Sequence, residues 1–201
     1  TVLFLPVSED SGVVTFRITE TYFEALKNLW SNSSLGYVPS RIFLGDDLIS
    51  FDFDQNANQG NGFMQRLQVL RNNDVIFEYS VMPPGPPGGP VRGLYTWQDH
   101  WILEVADVII RDGVVLNQQL GYSELFTWRL INDKPFYFYS QEDRVYLSYN
   151  DETLPQPYDR IIHEPACCSL AMVNMTLMED ALSFYALRDG FWYYVIITAQ
   201  D

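Results

Sequence analysis

The densest group of reactive side chains lies between residues 163 and 168. His163, Cys167 and Cys168 include one of the two histidines and both cysteines of the chain. An imidazole beside a thiol can activate it as a nucleophile, and the same side chains can ligate zinc. However, Pro165 breaks any helix that would align His163 with the cysteines, and the sequence has no further Cys or His pair to complete a metal site. We therefore interpret the cysteines as structural, either bonded to each other or buried, and keep a thiol-dependent enzyme or hydrolase as the alternative.

A second stretch has the spacing of a calcium loop. Oxygen-bearing side chains recur there at every second position, as Ca²⁺ ligands do: Asp52, Asp54, Asn56 and Asn58. The stretch has Ala57 where such loops need glycine, and Phe63 where they need an acidic ligand. Polar residues that alternate at the end of a strand would give the same pattern. We expect no metal here and keep calcium as the weaker alternative.

The remaining motifs do not indicate an enzyme. His100 stands between Trp97 and Trp101, and we interpret it as a turn residue flanked by core aromatics. The sequence contains no glycine-rich phosphate loop, no Gly-x-Ser-x-Gly elbow and no His-Glu-x-x-His motif. We therefore expect no cofactor and no catalytic residues.

The stretch 125–150 is a predicted three-stranded aromatic meander. Its two turns, Asn132-Asp133 and Glu142-Asp143, are flanked by aromatic and β-branched residues, which is typical of two-residue hairpins. That register places four large rings on one face: Trp128, Tyr137, Tyr139 and Tyr146. The other face carries apolar residues: Phe136, Phe138, Val145 and Leu147. Because tyrosine favours sites where its ring packs and its hydroxyl meets a polar partner, the four rings either form a second buried interface or stay open as a binding platform for a sugar, lipid or protein.

The rest of the chain predicts a mainly β (α+β) fold of antiparallel hairpin meander sheets. One amphipathic helix near the N-terminus is predicted over residues 20–31, with Thr21 and Glu24 forming a capping box. Hairpins are predicted around residues 45–47, 72–74 and 98–99, and a strong final strand over 191–198.

The segment Met82–Pro90 is the predicted domain boundary, because its five prolines cannot donate to a β-ladder. It separates an N-terminal strand-helix-hairpin subdomain, 1–82, from a C-terminal aromatic β-meander subdomain, 91–201. A long loop inside one single domain is the alternative.

Charge and hydropathy narrow the possible partners. The 201-residue chain carries a net charge of −14, which repels nucleic acid and anionic membrane surfaces. No apolar run approaches the ~20 residues that span a bilayer. We therefore expect no nucleic-acid partner, membrane association only through an anchor absent from this sequence, and a small molecule, glycan or protein as the ligand.

Two stretches carry a family resemblance. The motifs Ile18-Thr19-Glu20-Thr21 and Phe43–Leu48 resemble uncharacterised bacterial extracytoplasmic domains of the membrane-anchored or lipoprotein type. Trp128, Asn132-Asp133-Lys134 and Cys167-Cys168 are similar to the C-terminal parts of hypothetical bacterial proteins. The resemblance implies an extracytoplasmic or cell-surface location and no particular activity. Together with the absence of catalytic motifs, it makes a non-catalytic binding or interaction domain the expected function.

Overall fold

The fold is known from a computed structural model that describes residues 5–10, 13–29, 39–54, 64–81, 90–163, 170, 174–177 and 181–198. It is mainly β, as predicted, with antiparallel sheets built from hairpins and two helices in the described ranges. In chain order the elements are β1 (Leu5–Asp10), β2 (Val13–Arg17), α1 (Glu20–Leu29), β3 (Arg41–Leu44), β4 (Asp47–Asp54), β5 (Gln65–Arg71), β6 (Asp74–Val81), β7 (Val91–Trp97), β8 (His100–Val105), β9 (Val108–Arg111), β10 (Val114–Val115), α2 (Leu116–Leu120), β11 (Glu124–Ile131), β12 (Lys134–Gln141), β13 (Arg144–Tyr149), β14 (Glu152–Thr153), β15 (Arg160–Ile161), β16 (Thr176–Leu177), β17 (Ala181–Arg188) and β18 (Phe191–Thr198).

The strands form four sheets. Sheet A has the order β1-β2-β18-β17-β15, with β16 also paired to β17, so strands from both ends of the chain lie side by side in it. Sheets B, C and D each contain four strands consecutive in sequence: β3 to β6, β7 to β10 and β11 to β14. None of the helices in the described ranges has the length and apolar character needed to cross a bilayer.

The hairpin turns explain much of this topology. Positive φ angles occur at both central residues of several turns, including Asn72 (52°) with Asn73 (76°) and Asn132 (50°) with Asp133 (58°). Paired left-handed residues match the right-handed twist of the flanking strands, and Asn and Asp tolerate that conformation better than most residues. The local sequence therefore sets the register of these hairpins.

The chain divides into two compact units. Unit 1 contains Thr1–Leu35 and Thr127–Asp201, and unit 2 contains Gly36–Phe126. The boundary predicted at residues 82–90 falls inside unit 2, because Val81 before it and Val91 after it lie in one core.

Unit 2 is built from sheets B and C. Their buried side chains form a single apolar cluster, to which both sheets contribute: Ile49, Leu67, Val69 and Val81 from sheet B, and Val91, Leu94, Trp101, Leu103, Val105 and Ile110 from sheet C. Burying one inner face of each sheet is the main stabilising contribution, at roughly 1.5–3 kcal/mol per large side chain.

Unit 1 combines sheets A and D with helix α1. Phe138 of β12 packs edge-on against Phe184 of β17, with ring centroids 5.0 Å apart. Helix α1 covers part of the other face of sheet A, where Phe23 stacks on Trp192 at 3.5 Å between centroids. The predicted apolar helix face is confirmed by the burial of Phe23 and Leu26.

The helix cap differs from the prediction. Helix α1 begins at Glu20, and the hydroxyl of Thr19 accepts a hydrogen bond from the Tyr22 backbone N–H at 3.3 Å. Thr19, not Thr21, is therefore the capping residue. The error arose because Thr19 and Thr21 are both followed by residues suited to a first helical turn, and only the backbone geometry separates them.

Candidate functional site

The meander has the predicted register between β12 and β13. Tyr137 pairs with Ser148 and Tyr139 with Tyr146, which puts these four residues on one face as expected. However, Trp128, Tyr137 and Tyr139 are only 3%, 8% and 4% exposed. Tyr139 stacks on Tyr146 at 5.3 Å between centroids, and its hydroxyl lies 2.8 Å from the Thr153 hydroxyl. Of the four rings predicted to bind a ligand, Tyr146 alone is partly exposed, so no four-ring platform is open to a ligand.

The predicted thiol site lies mostly outside the described residues. Cys167 and Cys168 are in that part of the chain, so their distance from His163 stays open. The Nδ1 atom of His163 lies 2.8 Å from the Ile161 carbonyl oxygen. Because a carbonyl can only accept, Nδ1 carries the proton and Nε2 is the basic nitrogen.

The predicted calcium stretch begins as a regular strand. Asp52 and Asp54 lie on β4 and pair with Gln68 and Arg66 of β5, whereas Asn56 and Asn58 lie outside the described residues. The Asp52 carboxylate accepts a hydrogen bond of 2.7 Å from the Phe53 backbone N–H. An extended strand separates alternate side chains by about 6.6 Å, whereas a calcium loop curls to bring them together. The β4 backbone thus favours the interpretation as alternating strand residues.

A histidine–aspartate pair joins two turns of sheet C. The Nδ1 atom of His100 bonds to one carboxylate oxygen of Asp112, and the other oxygen accepts the Trp101 backbone N–H at 3.0 Å. Both side chains are about 40% exposed, at 40% and 38%. Such a pair can orient an imidazole for base catalysis, but catalysis also requires a nucleophile or bound water. In the described part of the chain Asp112 is the one hydrogen-bond partner of the His100 side chain, so the pair acts as a link between neighbouring turns.

Sequence reasoning also missed a buried charge cluster in unit 2. Glu104 is 3% exposed and lies near Arg92, which also lies near Asp107. Burial lowers the pKa of the Arg92 guanidinium, and the two carboxylates oppose that shift. Arg92 is the extra residue of a β-bulge, because Val91 pairs with Val105 and Gly93 with Glu104. Bulges turn side chains in new directions, and here the bulge provides a cation near a buried carboxylate, which is a structural role.

The clearest candidate for a binding site is on sheet A. Tyr185 of β17 pairs with Tyr194 of β18, and Tyr194 pairs with Phe16 of β2. These three residues, called here the aromatic row, therefore cross three adjacent strands in register. Their ring centroids are 4.9 Å apart for Tyr185–Tyr194 and 6.4 Å apart for Tyr194–Phe16. All three side chains are partly exposed.

The aromatic row lies on the same face of sheet A as helix α1. On β2, β17 and β18 its neighbours on that face are uncharged: Val14, Ile18, Ser183, Leu187, Trp192 and Ile196. Charged residues stand at the margins of the face, where Arg160 of β15 pairs with Leu187 and Glu9 of β1 pairs with Val14. Ile18 and Trp192 are buried beneath the helix, whereas Val14 and Ile196 are partly exposed. The opposite face is fully buried at Thr15, Phe184 and Val195. The row is thus the partly open continuation of a face whose other end is covered.

Two contacts fix Tyr185 within the row. Its hydroxyl is hydrogen-bonded to Tyr22 of helix α1, and burial, the neighbouring Tyr22 and Tyr194, and this bond raise its pKa above the usual value. Its backbone is held by Asn174, which is 3% exposed. The Asn174 side chain donates to the Tyr185 carbonyl at 3.0 Å and accepts the Tyr185 N–H at 2.8 Å. The aromatic ring is consequently held in place before any ligand arrives.

No protein-family model matches this chain, and no curated protein has a detectably similar sequence. The resemblance to bacterial extracytoplasmic domains accordingly stays an expectation drawn from the sequence motifs.

Proposed function

We propose that this protein is a non-catalytic binding domain whose ligand lies on the aromatic row. The observation that carries the proposal is the in-register arrangement of Tyr185, Tyr194 and Phe16 across three strands, with their rings partly exposed. Aromatic side chains present a large apolar area at a small entropic cost, and tyrosine adds a hydroxyl for orientation. Because the sheet and Asn174 hold the rings, little ordering is needed on binding.

The chemistry of this face favours a neutral carbohydrate among the three ligand classes expected from the sequence. The C–H face of a sugar ring packs on an aromatic ring, and its hydroxyls pair with groups such as the tyrosine hydroxyls. The side chains on this face of β2, β17 and β18 are uncharged, and the charged Arg160 of β15 lies opposite Leu187 at its margin. The rings themselves therefore offer no charge to pair with a charged group of a ligand. An extracytoplasmic location, implied by the resemblance, is where such glycans are met, and we include it in the proposal.

The experiment is a screen of neutral oligosaccharides on a glycan array, followed by titration of the best binder against single variants. Tyr194→Ala removes the central ring, and we expect it to weaken binding by about tenfold or more, since tenfold corresponds to about 1.4 kcal/mol. Tyr194→Phe keeps the ring and should retain most of the affinity. Circular dichroism and the melting temperature establish that each variant is folded.

Tyr146→Ala is the matched control, because Tyr146 is also a partly exposed tyrosine on a strand. It should leave affinity unchanged. If Tyr146→Ala weakens binding and Tyr194→Ala does not, the ligand lies on the meander and the aromatic row is not the site. If no neutral oligosaccharide binds, the carbohydrate proposal is wrong.

A further inference from the structure

A separate surface of the protein is the outer edge of strand β6 in unit 2. This strand is the last of sheet B, and in the described residues it pairs with β5 alone. Its eight residues include neither lysine, arginine nor proline. Natural edge strands are usually shortened, charged with lysine, interrupted by proline or covered, because their unpaired N–H and C=O groups otherwise recruit another strand. Strand β6 is long, and its own protective features are a bulge at Ile76 and the two acidic residues Asp74 and Glu78.

The opposite edge of sheet B differs in each respect. Strand β3 has four residues, includes Arg41, and lies against β7 of sheet C. Strand β6 is twice as long, and among the described strands it makes substantial contact with β5 alone. Two apolar side chains at its start, Val75 and Ile76, are 49% and 42% exposed. Among the residues that the structure describes, the sheet is therefore protected at one edge and unpaired at the other.

The β6 edge is also rigid. Phe77 lies against Gly113, with its ring 6.2 Å from that of Trp101 between centroids. Tyr79 stacks on Phe77 at 6.4 Å, and Phe77–Val81 pair in regular register with β5. An edge held in strand conformation needs no ordering when a further strand is added.

We infer that the β6 edge binds an extended, basic segment of another protein, which adds to sheet B as a fifth strand. Backbone hydrogen bonds supply the affinity in this mode, and alternate side chains supply the specificity. The strand carries Asp74 and Glu78 and no cation, although Glu78 already accepts a hydrogen bond from Gln68 at 2.7 Å and lies 3.8 Å from Arg66. The net charge of −14 is therefore the main reason why Lys or Arg on the added strand is favoured. A second copy of this chain is disfavoured, because pairing two β6 edges would bring Asp74 and Glu78 of both copies together.

The test uses three synthetic peptides of about ten residues, the length of a full edge strand. They alternate Val with Lys, Val with Ser, or Val with Glu. We expect the Lys peptide to bind the full chain at least about tenfold more tightly than the Glu peptide, with the difference shrinking at high salt. We also expect the amides of Asp74–Val81 to gain protection from hydrogen exchange. Equal binding of all three peptides, or protection confined to another strand, would overturn the inference.

Variants locate the site. Val75→Lys and Ile76→Lys place a cation on the edge, and each should weaken binding of the Lys peptide by about tenfold. Phe43→Lys is the control, because Phe43 on β3 is 70% exposed and lies at the opposite edge of the same sheet. This variant should bind the Lys peptide as the parent does. Unchanged melting temperatures show that all three fold. A concentration-dependent dimer that Val75→Lys abolishes would instead identify a second copy as the occupant, and would contradict the inference.

Discussion

A buried amide shows how single residues support the aromatic row. Asn174 donates to the Ile162 carbonyl at 2.9 Å as well as to the Tyr185 carbonyl, and it accepts the Tyr185 N–H. In unit 2 a second buried asparagine, Asn117, likewise donates to the Asp107 carbonyl and accepts the Ile109 N–H. An unpaired buried carbonyl or N–H costs about 1–3 kcal/mol, so each amide stabilises irregular backbone beside a strand.

Replacing this amide should destabilise the protein in a pH-dependent way. In Asn174→Asp a carboxylate faces the carbonyl oxygens of Ile162 and Tyr185, and we expect the free energy of unfolding to fall by about 3 kcal/mol or more at neutral pH. The site favours the protonated acid, so the folded-state pKa of the new Asp lies above the unfolded value of about 3.9. Stability should therefore partly recover as the pH falls through that raised pKa toward 3.9.

Urea unfolding across this pH range provides the measurement. Asn174→Ala is the control, since it loses the same hydrogen bonds without adding a titrating group. The difference between its free energy of unfolding and that of the parent should not vary with pH. If Asn174→Asp loses the same free energy of unfolding at neutral and at acidic pH, the new carboxylate does not face the carbonyl oxygens as inferred.

At the scale of elements, local sequence predicted the hairpins well and the binding site poorly. The turns at Asn132-Asp133 and Glu142-Asp143 and the strand 191–198 follow from residues adjacent in sequence. The aromatic row does not, because Phe16 lies near one end of the chain and Tyr194 near the other. Their pairing depends on β2 joining β18, and no local periodicity encodes that register. The many aromatic residues in 125–150 instead indicated a binding surface there, but most of these rings are buried in the core.

Helix α1 gives a test at this scale, because sequence and structure assign different caps. Thr19→Ala removes the hydroxyl that accepts the Tyr22 N–H, and we expect the free energy of unfolding to fall by about 1 kcal/mol. Thr21→Ala is the matched control and should change stability by less than about 0.5 kcal/mol, as exposed substitutions do. Chemical denaturation of the two variants measures the difference. The reverse order of effects would restore Thr21 as the cap.

For the whole molecule, composition predicted the fold class and the charge but not the division into units. The proline-rich segment indicated a boundary because proline cannot join a ladder, yet strands on both sides of it bury side chains in one core. Unit 1 is instead discontinuous in sequence, formed from both ends of the chain. A unit whose two parts are separated by another leaves no continuous pattern in the sequence, so its existence depends on contacts that only the fold reveals.

Stability of the whole molecule should decline at alkaline pH through its buried tyrosines. Tyr158 is 1% exposed, and burial raises its pKa from 10.0 to about 12, with the Arg188 guanidinium partly opposing the shift. Below pH 10 the hydroxyl is protonated in both folded and unfolded protein, so it adds no pH dependence. Between pH 10 and about 12 the unfolded chain releases the proton while the folded protein keeps it. The free energy of unfolding should therefore fall as the pH rises through this window, by up to about 3 kcal/mol for this group.

Urea unfolding from about pH 8 to about pH 12 tests this linkage. Tyr158→Phe removes the titrating hydroxyl and keeps the ring that packs on Phe184, so its stability should decline less steeply above pH 10 than that of the parent. Burial and neighbouring tyrosines also raise the pKa of Tyr185, so Tyr185→Phe should likewise reduce the fall in the free energy of unfolding above pH 10. Both variants keep their rings, so a change in the pH dependence reports the hydroxyl alone. If the free energy of unfolding of Tyr158→Phe falls as steeply above pH 10 as that of the parent, the Tyr158 hydroxyl titrates alike in the folded and unfolded protein. The loss of stability at alkaline pH would then come from repulsion among the other charges of this acidic chain.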